Sequence, residues 1–338
     1  MDARFSPEQL ELRSATAALL ADLSPRTVAD LDDEKRRARL ARAAVDAGWY
    51  DFRGPGDGDA PLASGVEVAI VARELGRTAA DTPFFGPVLA AELARHAGLE
   101  PTDGTTSVVL QPSLRDVAAL PSDAAGAVAV DCAGATRGLM LAGEHVVDVA
   151  LEDPTPATDL TRALAAVSTS ASARTRDGAR ISNEAVARSR ALALTITVAD
   201  LVGTMEGLLD ITCEYAKERQ QYGVAIGSFQ AVQHLLAEAR VLLEGSVSVA
   251  QYAAWAVDAC PPAEAWEAGA VAKAYCARGA RIVSETAIQV HGGIGNTWEC
   301  FVHVHLRRAL LSSAVFGDEG HHLRALARRR LEADRGLR

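Results

Sequence analysis

Four long helix-compatible stretches in the second half of the chain constrain its fold most. They extend over about 183–220, 230–258, 262–290 and 300–314, and a shorter run begins near Glu319. Hydrophobic residues make up 49% of the chain but aromatics only 5%, so the core must be built largely from Ala, Leu and Val. Ala-rich amphipathic segments favour helix, because Ala loses no side-chain entropy there. Helices this long in succession read as an antiparallel bundle.

The first hundred residues also look helical. Ser6-Pro7 followed by Glu8 resembles a helix start, with Ser as N-cap and Pro in the first turn. Leu10, Leu12, Leu19, Leu20 and Leu23 then fall largely on one side. Gly54-Pro55-Gly56-Asp57-Gly58-Asp59 reads as a loop, Val66 to Leu75 as a helix ended by Gly76, and Pro87 to Gly98 as another. Between 101 and 180 the texture changes. Short runs such as Thr105–Leu110, Ala127–Val130 and Glu144–Val149 are separated by Gly, Pro, Asp and Ser clusters, which predicts a small antiparallel sheet. Asp153-Pro154-Thr155-Pro156 reads as a turn or linker. The expected organisation is a helical region over 1–103, a reduced β-domain over 104–180 and a helical bundle over 181–338. This makes the chain mainly α with a small β domain.

The net charge is −10 with no long basic run, which argues against nucleic acid or an anionic membrane as the main partner. None of the five cysteines forms a Cys-x-x-Cys pair, so neither a zinc ribbon nor a thioredoxin motif is present. Scattered cysteines read as reduced thiols. The N-terminus has no apolar signal region and no apolar run reaches the roughly 18 residues of a membrane span. A cytoplasmic protein is the expectation. Five histidines fall late, at His291, His303, His305, His321 and His322. His303 and His305 are two apart on a predicted helix and point to different faces. Without a carboxylate at ligand spacing these histidines read as solvated or capping groups, and no metal site is expected.

Two connections carry more chemistry than their surroundings. The segment from Arg219 to Gln230 offers a fixed cation, several amides and glycines that let a ligand approach the backbone. Gln230 opens a helix, where free N–H groups favour anions. The segment Gln289-Val290-His291-Gly292-Gly293-Ile294-Gly295 follows a helix C-terminus, and its glycines make a turn with exposed amides able to cradle a phosphate-bearing group. Either segment alone also reads as a polar, Gly-rich link between helices.

Together, in this order and on this background, they resemble the acyl-CoA dehydrogenase family. The first is similar to its Arg-x-x-Phe-Gly…Phe-Gln motif, with Tyr222 in place of Phe. The second is similar to its Gln-x-x-Gly-Gly-x-Gly motif. Gly48-Trp49, Ala72-Arg73-Glu74-Leu75-Gly76-Arg77 and Pro83-Phe84-Phe85 resemble family segments of the N-terminal domain, and Glu299 and Arg307 sit where the family usually has a Glu and an Arg. The resemblance implies an N-terminal helical domain, a middle β-domain and a C-terminal four-helix bundle. It implies α,β-dehydrogenation of an acyl-CoA thioester with FAD as hydride acceptor and a carboxylate as base. It assigns the ADP half of an FAD to Arg219, Gln221, Phe229, Gln230, Gln289, Gly292 and Gly293.

The chain departs from that pattern where the chemistry occurs. Aligned on Arg307 and Gly317, the usual base position is Phe316. The second known base position, about seven helical turns before Arg219, is Ala193. No catalytic residue is therefore assigned. Asp318 and Glu319 are nearby carboxylates that read as the start of the next helix. The family's Thr-Glu-x-x-x-Gly-Ser-Asp and Trp-Ile-Thr-Asn segments are not recognised in the short middle region. Both losses concern the flavin ring, and both retained motifs concern the ADP half. The run from His291 to Ala309, followed by Phe316-Gly317-Asp318, looks like the short subunit of heteromeric bacterial acyl-CoA dehydrogenases of the steroid-catabolism type. The resemblance thus implies a longer catalytic partner subunit, a steroid-derived or other bulky acyl-CoA, a dimer or tetramer with the bundles at the interface, and an electron-transfer flavoprotein as acceptor. Two alternatives stay open: a self-sufficient homo-oligomer using Asp318 or Glu319, and a flavin-free scaffold.

Overall fold

The structure, a computed structural model, describes residues 4–58, 60–100, 106–123, 125–155, 157–168 and 174–336. Asp59, Thr105, Pro156 and the expected boundary at 103/104 lie outside the described residues.

Four helices come first: α1 (Pro7–Leu23), α2 (Glu34–Asp46), α3 (Gly65–Arg77) and α4 (Phe85–His96). Ser6 starts α1 with a full capping box, its hydroxyl accepting from the Gln9 N–H while the Gln9 side chain accepts from the Ser6 N–H. Of the five leucines expected largely on one side, Leu20 and Leu23 are buried, but Leu10 is 50% exposed. Sequence reading missed α2, whose charged run buries only Leu40 and Ala44. The helix expected to stop at Gly76 continues to Arg77, because Gly76 is a packing residue: any Cβ there would collide with the Asp200 carbonyl.

The middle region forms one six-stranded sheet: β1 (Thr106–Leu110), β2 (Val128–Val130), β3 (Arg137–Ala142), β4 (His145–Ala150), β5 (Leu164–Ala166) and β6 (Arg174–Arg180), in the order β5-β2-β1-β3-β4-β6. The expectation of an antiparallel sheet needs correction, since β1 and β3 are parallel. Successive strands reverse direction, but β3 lies on the far side of β1 rather than beside β2. Two reversals therefore bring it parallel to β1.

The bundle follows: α5 (Asn183–Glu218), a small hairpin of β7 (Gln220–Gln221) and β8 (Val224–Ala225), then α6 (Gln230–Ala259), α7 (Pro262–His291), α8 (Val302–Ala314) and α9 (Glu319–Gly336). Ser182 caps α5 by accepting from the Ala185 N–H, and Pro262 opens α7. The last helix, expected to be short, is longer than α8. Among the described residues α5 is long and apolar enough to cross a membrane, contrary to the sequence reading, but 94% of its apolar window is buried in the bundle.

Glycines set the close approach of α3 to α5. A Cβ on Gly203 would overlap the Arg73 carbonyl, and one on Gly207 would overlap that of Arg77. The largest hydrophobic cluster joins the N-terminal helices, the sheet and one end of the bundle through Trp49, Leu89, Val108, Leu192 and Phe316. A second fills the rest of the bundle with Leu201, Met205, Leu208, Leu243 and Val283.

Candidate functional site

Both chemistry-bearing connections lie at one end of the bundle. The Tyr215 ring, near the end of α5, stacks on His291 at the end of α7, with centroids 4.2 Å apart. The His291 Nδ1–H donates to the Ala287 carbonyl, 2.8 Å away, and burial holds its pKa below the usual value. His291 is thus a neutral strut between the two segments, spent inside the chain.

In the first segment, Arg219 is the C-cap of α5 and its side chain is exposed. Tyr222 and Gly223 make the hairpin turn with φ of 53° and 81°, the positive-φ pair of a type I′ turn. Tyr222 is 94% exposed and meets Phe229 edge-on at 6.4 Å. Gln221, Phe229 and Gln230 are also exposed. Phe229 is the N-cap of α6 and supplies no side-chain acceptor, so the positive end of a 30-residue helix is left without a side-chain cap.

In the second segment, Gln289 is exposed and Gly292 ends α7 at φ 66°, a conformation that favours glycine. Gly295 is needed for packing, since a Cβ there would press on the Ile288 carbonyl and the His291 side chain. Gly293 is different. It has no positive φ, and a Cβ there would meet nothing within 4 Å. All seven residues assigned to the ADP half are therefore present at one end of the bundle on outward-facing backbone. Exposed amides, a guanidinium and an open helix N-terminus suit a pyrophosphate-bearing group.

The far end of α8 is closed. Phe316 is 3% exposed and has φ 59°. Its N–H donates to the Leu114 carbonyl at 2.7 Å, its carbonyl accepts from His322 Nε2 at 2.8 Å, and its ring meets Phe85 edge-on at 5.9 Å. Ala193 is fully buried in the same cluster. The space beside Phe316 is about 200 Å³, lined by Arg115, Asp116, Arg190, Trp266 and His322. That lies below the roughly 300–1,000 Å³ of ordinary ligand pockets. Asp318 accepts from the His321 N–H at 2.7 Å, which lowers its pKa and makes it the cap of α9. Glu319 lies 3.9 Å from Arg278.

Lys273 holds this closed turn. It is fully buried, and its Nζ donates to the carbonyls of Ser312, at 2.6 Å, and Val315. Burial pulls its pKa down to about 7.

A buried ion network, which sequence reading missed, ties the three regions together. Arg308 binds Asp200 through Nε at 2.9 Å and donates to the Ala80 carbonyl and the Thr161 hydroxyl, each at 2.8 Å. Arg162 reaches Asp200 at 2.8 Å and Ser312 Oγ at 2.6 Å. Burial would raise the Asp200 pKa, but Arg162 and Arg308 outweigh it and hold the carboxyl below the usual range. Asp131 accepts from the Phe84 and Phe85 N–H groups at 2.8 Å each and so caps α4 from the sheet; burial raises its pKa. Arg307, singled out from sequence, instead lies over the Trp298 ring at 5.7 Å, and Glu299 is exposed. The only sequence signal for the network was the doubled Arg307-Arg308, whose helical phase decides which one is buried.

The reading of the late histidines as solvated or capping also needs correction. His303, His305 and His322 are buried, and burial lowers the pKa of His305 and His322 to about 4.

A family model described as acyl-CoA dehydrogenase, C-terminal domain, matches residues 162–331. Acyl-CoA dehydrogenase IpdE2 of Mycobacterium tuberculosis is 30% identical over 263 residues, spanning 77% of this chain and 76% of that protein. The fold is shared with the ChsE4–ChsE5 complex of Mycobacterium tuberculosis, with a TM-score of 0.79, 23% identity and coverage of 98% of this chain and 99% of that one. It is shared too with the Tcur3481–Tcur3483 steroid ACAD, with a TM-score of 0.78, 23% identity and coverage of 97% and 98%. With the glycine segments, the bundle and the β-region in their places, the chain belongs to the acyl-CoA dehydrogenase family.

Proposed function

We propose that this chain is the non-catalytic subunit of a heteromeric acyl-CoA dehydrogenase. It lends Arg219, Gln221, Phe229, Gln230, Gln289, Gly292 and Gly293 to the ADP half of an FAD whose ring, base and acyl-CoA pocket belong to a longer partner subunit. The carrying observation is the contrast between the two ends of α8. One end presents open glycine backbone, whereas the other is filled by Phe316 and Ala193, neither of which can accept a proton.

FAD, when bound, supplies the hydride acceptor for α,β-dehydrogenation. This chain's residues perform binding and orientation. Arg219 and the first N–H groups of α6 would hold the pyrophosphate charge, together with the amides of the glycine turn. The exposed Phe229 ring, with Tyr222 edge-on beside it, would offer an apolar surface to the adenine. Gly293 would let the cofactor approach the backbone where a side chain would otherwise stand.

Fold similarity to two two-chain assemblies supports the heteromeric reading, and the steroid ACAD among them supports a steroid-derived acyl-CoA as substrate. An electron-transfer flavoprotein as acceptor and a cytoplasmic location complete the proposal. A self-sufficient enzyme has less support, because Asp318 is spent as a helix cap with its pKa lowered, the wrong direction for a base.

The test is flavin absorbance of the chain purified alone and co-purified with a longer dehydrogenase that carries the base. Flavin and acyl-CoA oxidation are expected only in the complex. Stoichiometric FAD with turnover in the isolated chain would overturn the proposal.

A further inference from the structure

A half-open slot of about 550 Å³ lies between α1, α3, α5 and α6. Val66, Ala69, Ile70 and Arg73 line it from α3, at the i, i+3, i+4 and i+7 positions of one helix face. Val247, Ala250, Gln251, Ala254 and Trp255 line it from α6. Each stripe covers about two turns, so the slot is roughly 10–12 Å long. Ala199 and Val202 of α5 form its floor. Val202 comes about two and a half turns after Ala193 and faces the opposite side of α5, so the slot is distinct from the closed space beside Phe316. Small residues make the room. Gly65 lets α3 touch α6, where a Cβ would overlap the Ala254 carbonyl, and beyond that contact the facing walls carry only the methyl groups of Ala69, Ala199 and Ala250.

The charged lining is cationic on balance: Arg4, Arg13 and Arg73 against Glu74. The Glu74 oxygens are already taken by Arg13 Nε at 3.2 Å and Arg77 Nε at 2.8 Å, and Glu206, outside the lining, takes Arg73 Nε at 2.9 Å. These pairs fix the Arg13 and Arg73 guanidiniums through Nε alone. Their Nη groups make no hydrogen bond among the described residues, Glu206 standing 4.0 Å from Arg13 Nη2. Neither guanidinium is sealed in the interior, since the Arg13 and Arg73 side chains are 39% and 18% exposed and neither holds a buried unpaired atom. The half-buried Gln251 amide is likewise without a partner among the described residues. A carboxylate answers this arrangement, because its two oxygens accept from planar guanidinium forks. A hydroxyl offers only a neutral bond, and an ammonium is repelled. The net charge of −10 gives the chain no general attraction for anions, so an anion that binds is held locally. The apolar walls take a hydrocarbon body, and the volume falls within the range of ligand pockets.

We propose that this slot binds a lipophilic monocarboxylate, its carboxylate held by Arg13 and Arg73 and its hydrocarbon body lying against Ala69, Ala250 and Trp255. The site requires no flavin and no partner chain, so it stands or falls separately from the dehydrogenase reading.

The experiment is a calorimetric titration of the full chain with decanoate, with decan-1-ol and with adamantane-1-carboxylate. Decanoate is expected to bind at least tenfold more tightly than decan-1-ol, and its rank against the cage acid tells an alkyl tail from a polycyclic one, either order supporting the site. In Arg73→Gln the preference for decanoate over decan-1-ol is expected to fall at least fivefold, with the alcohol itself changed less than twofold. Ala69→Leu, which fills the slot from a half-buried wall position, is expected to weaken decanoate at least fivefold and covers the case in which Arg73→Gln does not fold. Equal affinity for decanoate and decan-1-ol, an unchanged preference in folded Arg73→Gln, unaltered binding in Ala69→Leu, or no binding of either acid below its aggregation concentration would each overturn the proposal.

Discussion

Replacing Lys273 by Met should change how stability depends on pH, and the size of the change follows from the structure. Lys273 is fully buried and, among the described residues, forms no ion pair with a carboxylate; it donates to the Ser312 and Val315 carbonyls, and burial lowers its pKa to about 7. In the unfolded chain the same group titrates near 10.4. Between those values the unfolded state holds a proton that the folded state has lost, so stability must rise with pH across that window. The desolvation penalty is fully present below about pH 7 and is relieved progressively above it. Integrating the proton difference from pH 7 to 9 gives a gain of about 2 kcal/mol from this group alone. Lys273→Met removes the titration and leaves two buried carbonyls without donors, each costing about 1–3 kcal/mol. The variant should therefore be clearly less stable than the parent at pH 9, and the gap should shrink by about 2 kcal/mol at pH 7. Urea unfolding of both proteins at pH 7, 8 and 9 measures this directly. Surface lysines and cysteines titrate alike in both and cancel in the difference. A gap that stays constant across those pH values would refute the reasoning, since it would mean that Lys273 is solvated or charged in the folded state.

Three further outcomes are expected. Gly203→Ala should wedge α3 from α5, because its Cβ meets the rigid Arg73 carbonyl; the overpacking cost of about 1–3 kcal/mol outweighs the gain of about 1 kcal/mol from replacing a helical glycine, and an increased urea midpoint would contradict this. Gly293→Val should leave the thermal midpoint of the chain nearly unchanged, since no atom stands within 4 Å of its Cβ, yet lower the flavin content of the co-purified complex at least tenfold. Arg219→Ala should likewise fold normally and release flavin more readily, which equilibrium dialysis of the complex would detect as a raised Kd; unchanged retention would remove the first segment from the cofactor site.

The bundle was legible because its signals are local. Ser182 and Pro262 mark helix starts, and the ends of α5, α6 and α7 fall within two residues of the expected positions. Where the local signal was weak, elements were missed. The α2 run carries five charged residues ahead of Leu40, its single leucine, so its capping by Asp33, whose side chain accepts from the Arg36 N–H, gave the better clue. The β3 sequence Arg-Gly-Leu-Met-Leu-Ala contains no β-branched residue, and its strand state comes from pairing with β1 and β4. The network around Asp200 was illegible for another reason. Arg308 and Asp200 are 108 positions apart, and only the packing of α8 on α5 brings them together. Position 76 shows the converse error: a glycine read as a helix stop is there because two helix backbones touch.

The same accounting separates several glycines that this chain needs from Gly293, which it does not. Gly76, Gly203, Gly207 and Gly295 are required by contacts within the chain, and Gly292 by its φ. Gly293 has no such requirement. If its small size matters, the reason lies outside the chain, where a ligand or another subunit approaches the turn. At the other end of α8, about 20 Å away for a 13-residue helix, the reverse holds. Phe316, Phe85 and the Leu114 carbonyl satisfy one another, and nothing is left for a visitor to complete. Loss of function by drift would erode both ends alike. A chain that lends one half of a shared cofactor site would keep the outward-facing end open and be free to fill the other with core, which is the pattern of this fold.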